Sequence, residues 1–274
     1  MALGKIERYV EPFIGGGAAF FHIVQTYPIK QCFISDQNEE LVLAYKTIRE
    51  CVEELIECLS SIERYYFSLT MEEQQVYFYN IRTQFNDARI NINYAQVNLE
   101  SVQRTAQLIF MNRTCFNGLF RVNTNGEFNV PFGSYKNPTI CDVENLQAVS
   151  KLLKQTEIHF GDFEVCREFI NHKTFVYFDP PYRPISKTAS FNSYAKQSFD
   201  DNSQARLAQF LRELHQTGAK LMLSNSDPHN ENPDDDFFEV LYQDFNINKV
   251  MAKRQINSNG TGRGEITELL VTNY

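Results

Sequence analysis

The chain has 274 residues, 43% of them hydrophobic, which suits one large domain or one domain carrying an inserted subdomain. It contains no run of about 18 apolar residues and no signal-peptide-like apolar stretch at its start, so a cytoplasmic protein without a membrane span is expected. A net charge of −8 and a pI of about 5.2 argue against generic, charge-driven nucleic-acid binding.

In chain order, Tyr9-Val10-Glu11 reads as the end of a first strand, and Pro12 to Gly17 as a tight turn leading into a helix at Ala18 to Val24. Cys32 to Asp36 reads as a second strand ending in an acid, and Glu39 to Leu59 as one helix with Leu41, Ala44, Tyr45 and Ile48 on a single face. Polar helical segments follow, Glu72 to Phe85 and Leu99 to Met111. A Gly/Asn-rich stretch, Asn117 to Pro138, then carries a hairpin signal at Asn125-Gly126. An α/β pattern resumes with strands at Ile158-His159-Phe160 and Thr174 to Phe178, a helix from Asp200 to Thr217 with Gly218 as its cap, and a strand at Lys220 to Ser224. Val240-Leu241, Ile247 to Met251 and Leu269 to Thr272 are expected to complete the sheet, with Asn257 to Gly264 a loop.

Basic residues cluster despite the acidic total. Arg104, Arg113, Arg121 and Lys136 form one group, Arg183, Lys187 and Lys196 a second, and Lys249, Lys253, Arg254 and Arg263 a third. A basic face on an acidic body is one reading, and ordinary solvated surface is the other. The six cysteines, Cys32, Cys51, Cys58, Cys115, Cys141 and Cys166, show neither C-x-x-C pairing nor ligand spacing with histidine. Reduced structural thiols and no metal are expected.

Asp179-Pro180-Pro181-Tyr182 carries the chemistry. It follows a strand-like apolar run, where an open α/β sheet binds its ligands. The Asp179 carboxylate and the Pro180 carbonyl can each accept one N–H of a ring-bound amine, and Tyr182 offers a face for the ring. An exocyclic adenine amine is a weak nucleophile because its lone pair is delocalised. Two acceptors favour a pyramidal nitrogen aimed at an electrophilic methyl, with S-adenosylmethionine as the donor. Within a duplex the base would have to be flipped into the pocket. The glycines at 15 to 17 permit close backbone approach. Asp36, about 20 residues on, stands where a carboxylate takes the ribose hydroxyls of an adenosyl group. Asp162 can meet the cofactor's adenine amine and Phe163 can pack on that ring. Taken singly, these features also read as a tight turn, a helix cap and a turn residue.

With these residues in place, the chain resembles the Dam-type DNA adenine-N6 methyltransferases, the alpha group of the D12 class. The resemblance runs from Tyr9-Val10-Glu11-Pro12-Phe13 to Leu269 to Tyr274, and is most specific at Met111 to Arg121 and Glu127 to Gly133. It implies a Rossmann-like methyltransferase sheet with an inserted helical DNA-recognition domain carrying a β-hairpin. Residues 1–50 and 151–274 would form the catalytic and cofactor-binding domain, and residues 51–150 the target-recognition domain. It implies S-adenosylmethionine at Phe13, Gly15, Gly17, Asp36, Asp162, Phe163 and Asp179, and catalysis by Asp179, Pro180 and Tyr182. Among residues matched to DNA binding, Arg121 would read a guanine and Phe116 would enter the base stack. Arg113, Asn117, Leu119 and Pro131 would make neighbouring contacts. The target would be GATC or another GAT-containing site in double-stranded DNA. The enzyme would act as a monomer, with a cognate restriction endonuclease among its possible partners.

Two departures accompany the resemblance. The family's Lys-Trp-x-Gly-Gly-Lys segment has no counterpart beyond Gly4-Lys5, which implies a truncated N-terminus or an incomplete cofactor site. Ser134 stands where a basic residue is common. Two other functions compete with DNA adenine methylation: methylation of another planar amine, in an RNA base or a protein glutamine, and a non-catalytic DNA-binding remnant.

Overall fold

Seven strands form one mixed sheet in the order β3-β2-β1-β4-β5-β7-β6. They are β1 (Arg8–Glu11), β2 (Gln31–Asp36), β3 (Thr156–Phe160), β4 (Thr174–Phe178), β5 (Lys220–Ser226), β6 (Asn246–Lys253) and β7 (Glu265–Thr272). The computed structural model describes residues 6–183, 199–253 and 265–274. Gly4-Lys5, Lys187, Lys196, Arg254, Arg263 and the Asn257 to Gly264 loop lie outside them. No helix among the described residues is long and apolar enough to cross a membrane.

Strand β1 lies parallel between β2 and β4, with Val10 opposite Phe33 and Val176. Strand β4 in turn pairs in parallel with β5. Phe175, Val176 and Phe178 of β4 are all buried, because a parallel strand covered on both faces needs a near-continuous apolar run. Strand β7 is antiparallel to both β5 and β6. The chain leaves β1 toward β2 and β3, then returns to β4 on the other side of β1. This reversal leaves a crevice at the carboxyl ends of β1 and β4. The architecture is the Rossmann-like α/β class expected.

Eight α-helices are described: α1 (Ala18–Thr26), α2 (Glu39–Glu50), α3 (Val52–Phe67), α4 (Met71–Ala88), α5 (Leu99–Thr114), α6 (Val143–Leu153), α7 (Asp201–His215) and α8 (Phe237–Leu241). Local chemistry sets several starts. Thr70 and Glu73 form a reciprocal capping box at α4, Asn98 and Ser101 do the same at α5, and Asp200 caps α7. The helix expected over Glu39 to Leu59 is two helices. Cys51 leaves helical geometry at φ −131°, while its N–H bonds Thr47 O and its carbonyl accepts from Leu55, so the break loses little hydrogen bonding. Neither glycine nor proline marks it, which hides it from pattern reading. Val240-Leu241, expected in the sheet, ends helix α8 instead. So short an apolar run has no decisive period.

The chain divides into two compact units. Among the described residues one holds everything up to Gln37 and from His159 onward, and the other holds Asn38–Ile158. Helix α2 therefore clusters with the second unit, whereas the sequence reading places residues 1–50 with the first. The first unit's core includes Val10, Phe33, Phe163, Val176, Phe178, Leu207 and Leu221. The second unit's core gathers Leu55, Leu59, Tyr66, Phe78, Phe85, Phe110, Phe128 and Val130. Each fully buried aromatic or aliphatic side chain contributes about 2 kcal/mol.

The expected β-hairpin is reduced to single bridges, Val122 with Phe128 and Cys115 with Phe132. Two backbone bonds, Asn123 N–H to Glu127 O at 2.9 Å and Asn129 N–H to Arg121 O at 3.1 Å, join the arms, and side chains supply the rest of the pairing. Asn86 of α4 accepts the Phe128 N–H at 2.8 Å and donates to the Phe128 carbonyl at 3.1 Å, as a neighbouring strand would. Asn123 closes the turn by accepting from the N–H groups of Asn125 and Glu127. Asn86→Ala should lower the unfolding free energy by about 1–3 kcal/mol, because it orphans two backbone groups of a buried residue. Urea denaturation of the two proteins checks this.

Candidate active site

The ends of three neighbouring strands build the site. After β1, Ile14 N–H bonds Ser35 O and Gly17 N–H bonds Ile14 O, folding the chain back before α1. Gly15 and Gly17 have φ of 46° and 72°, in the left-handed region where a side chain brings strain. A Cβ at Gly15 or Gly16 would meet no atom within 4 Å, so their outer face is open. Asp36 closes β2, and its carboxylate accepts the Gly15 N–H at 3.0 Å. Asp179 follows β4 directly.

Phe13, Gly15, Asp36, Gln37, Asp179, Pro180, Pro181, Tyr182 and Phe199 line one cavity of about 480 Å³. Six residues singled out in the sequence thus meet: Phe13, Gly15, Asp36, Asp179, Pro180 and Tyr182. Gly17, Asp162 and Phe163 are not in its lining. Gly17 is buried at the start of α1. Asp162 caps the 3₁₀ turn Phe163–Phe169 through the Glu164 N–H, and it also takes Gln37 at 2.9 Å and Arg206 at 2.5 Å. Phe163 is fully buried. Its ring backs Phe13, with centroids 5.7 Å apart, and the Arg206 guanidinium covers it at 4.5 Å.

The Asp-Pro-Pro-Tyr segment is held from behind by groups the sequence reading did not single out. Ser224 of β5 donates to Asp179 Oδ1 at 2.8 Å, and Tyr177 lies 3.0 Å from the same hydroxyl. Buried Gln204 donates to the Pro181 carbonyl at 3.3 Å and accepts from buried Asn225 at 3.2 Å. Asn225 in turn accepts the Arg183 N–H at 3.2 Å. Among the described residues no hydrogen bond reaches the Pro180 carbonyl, which stays available as an acceptor. Ser224 and Asn225 end a strand next to β4, and that placement is the one signal in the sequence that points to them.

Glu11 is the other residue missed. It ends β1 beside Asp179 and is only 3% exposed. Burial pushes its carboxyl up to about 8, aided by the Asp179 charge and opposed by hydrogen bonds from the Tyr9 hydroxyl and the Phe20 backbone. The Tyr9 bond measures 2.6 Å. Asp179 opens onto the cavity, yet the protein crowds it enough that desolvation raises its pKa too, against hydrogen bonds from Ser224 and Tyr182. Two adjacent carboxyls resist double ionisation. A protonated Glu11 leaves the negative charge to Asp179.

The second unit carries the other predicted contacts. Arg113, Phe116, Asn117, Leu119, Arg121 and Pro131 are all exposed. Arg113 lies in the last turn of α5, and the loop presenting the others is tightly held: Phe116 N–H bonds Pro131 O, Gly133 N–H bonds Thr114 O, Asn112 donates to Gly118 O at 2.7 Å, and the Tyr135 hydroxyl accepts the Asn117 N–H at 2.9 Å. A Cβ at Gly133 would fall 2.6 Å from the Tyr135 ring and 2.7 Å from Cys115 O, so only glycine allows this approach. The basic surface is smaller than the sequence implies. Arg104 is 2% exposed, bonds both carboxylate oxygens of Glu40 and lies 3.9 Å over the Phe85 ring. Arg183 is ion-paired with Asp201 and Asp235 at 2.8 Å each.

Glu11 makes stability depend on pH. Its folded pKa of about 8 exceeds the ordinary value of 4.5, so its stabilising contribution is complete below 4.5 and is lost progressively as pH rises from there to about 8. Thermal midpoints should fall between about pH 5 and about pH 8 and level off above that, and Glu11→Gln, neutral throughout, should flatten the fall.

A family model described as the D12 class N6 adenine-specific DNA methyltransferases matches residues 2–256. The Type II methyltransferase M.MjaIII of Methanocaldococcus jannaschii is 51% identical over 272 residues, covering 99% of this chain and 90% of the relative. The Type II methyltransferase M1.LlaDCHI of Lactococcus lactis subsp. cremoris is 39% identical, covering 98% of this chain and 87% of its own length. A DNA adenine methylase of Salmonella typhi is 29% identical with the same two coverages, 98% and 87%. The protein belongs to the D12 class of N6 adenine-specific DNA methyltransferases, enzymes that methylate adenine in DNA.

Proposed function

We propose that the cavity between the glycine turn and Asp179 takes S-adenosylmethionine and a flipped adenine, and that the target lies in GATC or another GAT-containing site. The observation that carries this reading is the shared lining of one cavity by Gly15, Asp36, Asp179, Pro180 and Tyr182. The fit with the cofactor rests on the open space outside Gly15 and Gly16 and on the Asp36 carboxylate beside it. Phe13, Gly15 and Asp36 would hold the adenosyl portion. When bound, S-adenosylmethionine supplies the methyl group.

The chain's own groups do the positioning. Asp179 and the Pro180 carbonyl each accept one N–H of the adenine amine, and Tyr182 stacks on the ring. Ser224 and the Gln204–Asn225 pair fix these acceptors before the base arrives, so little reorganisation is left for the reaction. Protonated Glu11 keeps Asp179 ionised and able to accept. On the second unit, exposed Arg121 reads a guanine, Phe116 enters the base stack, and Arg113, Asn117, Leu119 and Pro131 contact neighbouring groups. Two relatives are named Type II methyltransferases, which supports a cognate restriction endonuclease as partner. The enzyme acts as a monomer on this reading.

Asp179→Ala should abolish methyl transfer while duplex affinity stays within a few-fold of the wild type. Turnover assays with filter binding test this, and unchanged turnover removes Asp179 from the chemistry. For the intact enzyme, kcat/KM should drop on acidification at a pH above the ordinary aspartate value of 3.8, since protonated Asp179 stops accepting. Sequencing the DNA of cells expressing the chain gives the methylated base and site together. Arg121→Ala should then cost about 1–3 kcal/mol of discrimination at one guanine of that site.

A further inference from the structure

We infer that Asn129 is a specificity-determining positioning residue, holding Arg121 so that only the two terminal nitrogens of its guanidinium face the guanine. The inference rests on the proposed base-reading role of Arg121 and says how that role is built. Arg121 Nε donates to Asn129 Oδ1 at 2.8 Å, and Asn129 N–H bonds Arg121 O at 3.1 Å, so the two residues are linked through both backbone and side chain. Among the described residues no partner engages Nη1 or Nη2 of Arg121.

Asn129 is itself immobilised. Its neighbours Phe128 and Val130 are 1% and 2% exposed, and their backbones are held from α4 by Asn86 and by Arg82, which donates to Val130 O at 3.3 Å. An exposed arginine is otherwise free to turn about its long side chain. A guanidinium can meet guanine O6 and N7 either side-on, through Nε and one Nη, or end-on, through both Nη groups. With Nε bonded to Asn129 the side-on mode is closed. Guanine, alone among the bases, offers two acceptors side by side in the major groove. A fork fixed end-on meets both together, whereas a mobile one can settle for the single acceptor of another base.

The test uses duplex oligonucleotides carrying the methylation site found by sequencing, with each guanine replaced in turn by 7-deazaguanine, which keeps O6 and lacks N7. The wild type should lose roughly tenfold in kcat/KM at one guanine, as expected when half of a bidentate contact is removed. Arg121→Ala should erase that penalty. Asn129→Ala should shrink it to about twofold or less, Asn129→Asp, which keeps the acceptor, should preserve it, and the double variant should match Arg121→Ala. A general structural defect would lower rates on both duplexes alike and leave their ratio unchanged. Asn129→Leu, nearer in volume, serves if the alanine variant melts early. A full penalty in both the alanine and leucine variants, with Arg121→Ala lacking one, overturns the inference and leaves the base reading intact. Loss of the penalty in Asn129→Asp as well also overturns it. A penalty that survives Arg121→Ala at every guanine removes the base reading and the inference together.

Discussion

The parallel pairing of β1 with β4 is the constraint on which the site depends. Val10 opposite Val176 sets the two strands to end at one level, so the glycine turn and Asp179 emerge on the same edge. A one-residue slip would turn every side chain of the strand to the other face and carry Glu11 away from Asp179. The apolar residues that fix this register, Val10, Val176 and Phe178, are buried in the core and are not among the residues that line the cavity. Site geometry and core packing are therefore one problem in this fold.

Behind that edge lies a buried polar layer. Gln204, Asn225 and Glu11 are nearly inaccessible, and each has a hydrogen-bond partner. Such groups are costly to bury and rigid once satisfied. Here Gln204 and Asn225 fix the backbone at Pro181 and Arg183, just past Asp179, while Ser224 holds the Asp179 carboxylate itself. The second unit uses the same device around residues 112–135, where Asn86, Asn112, Asn123 and Tyr135 supply bonds that a longer ladder would have made.

Much of this was legible in the residues. The strand ending at Phe178 carries a continuous apolar run, those ending at Glu11 and Asp36 carry short ones, and the glycine turn and the Asp-Pro-Pro-Tyr segment sit just past strand ends. What escaped had no local mark. Gln204 lies in mid-helix and becomes part of the site only because α7 packs under Pro181. Arg104 reads as a surface cation until its partner Glu40, far off in sequence, is placed beside it. The break at Cys51 lacks a breaker residue, and the hairpin signal at Asn125-Gly126 was sound for the turn but silent on how little ladder would follow. Asp162 shows the converse: its position at a strand end was plain, while its engagement with Arg206 was not.

Asn86 carries a further consequence. Because one amide on α4 bonds the Phe128 backbone as a neighbouring strand would, this arm needs no strand beyond the short Arg121–Asn123 segment it pairs with. Phe128 and Val130 plug it into the core, while Phe116, Leu119 and Arg121 project outward. Substitutions at the outward positions leave the plugs untouched. Change at those outward positions can therefore proceed at small thermodynamic penalty to the second unit's core.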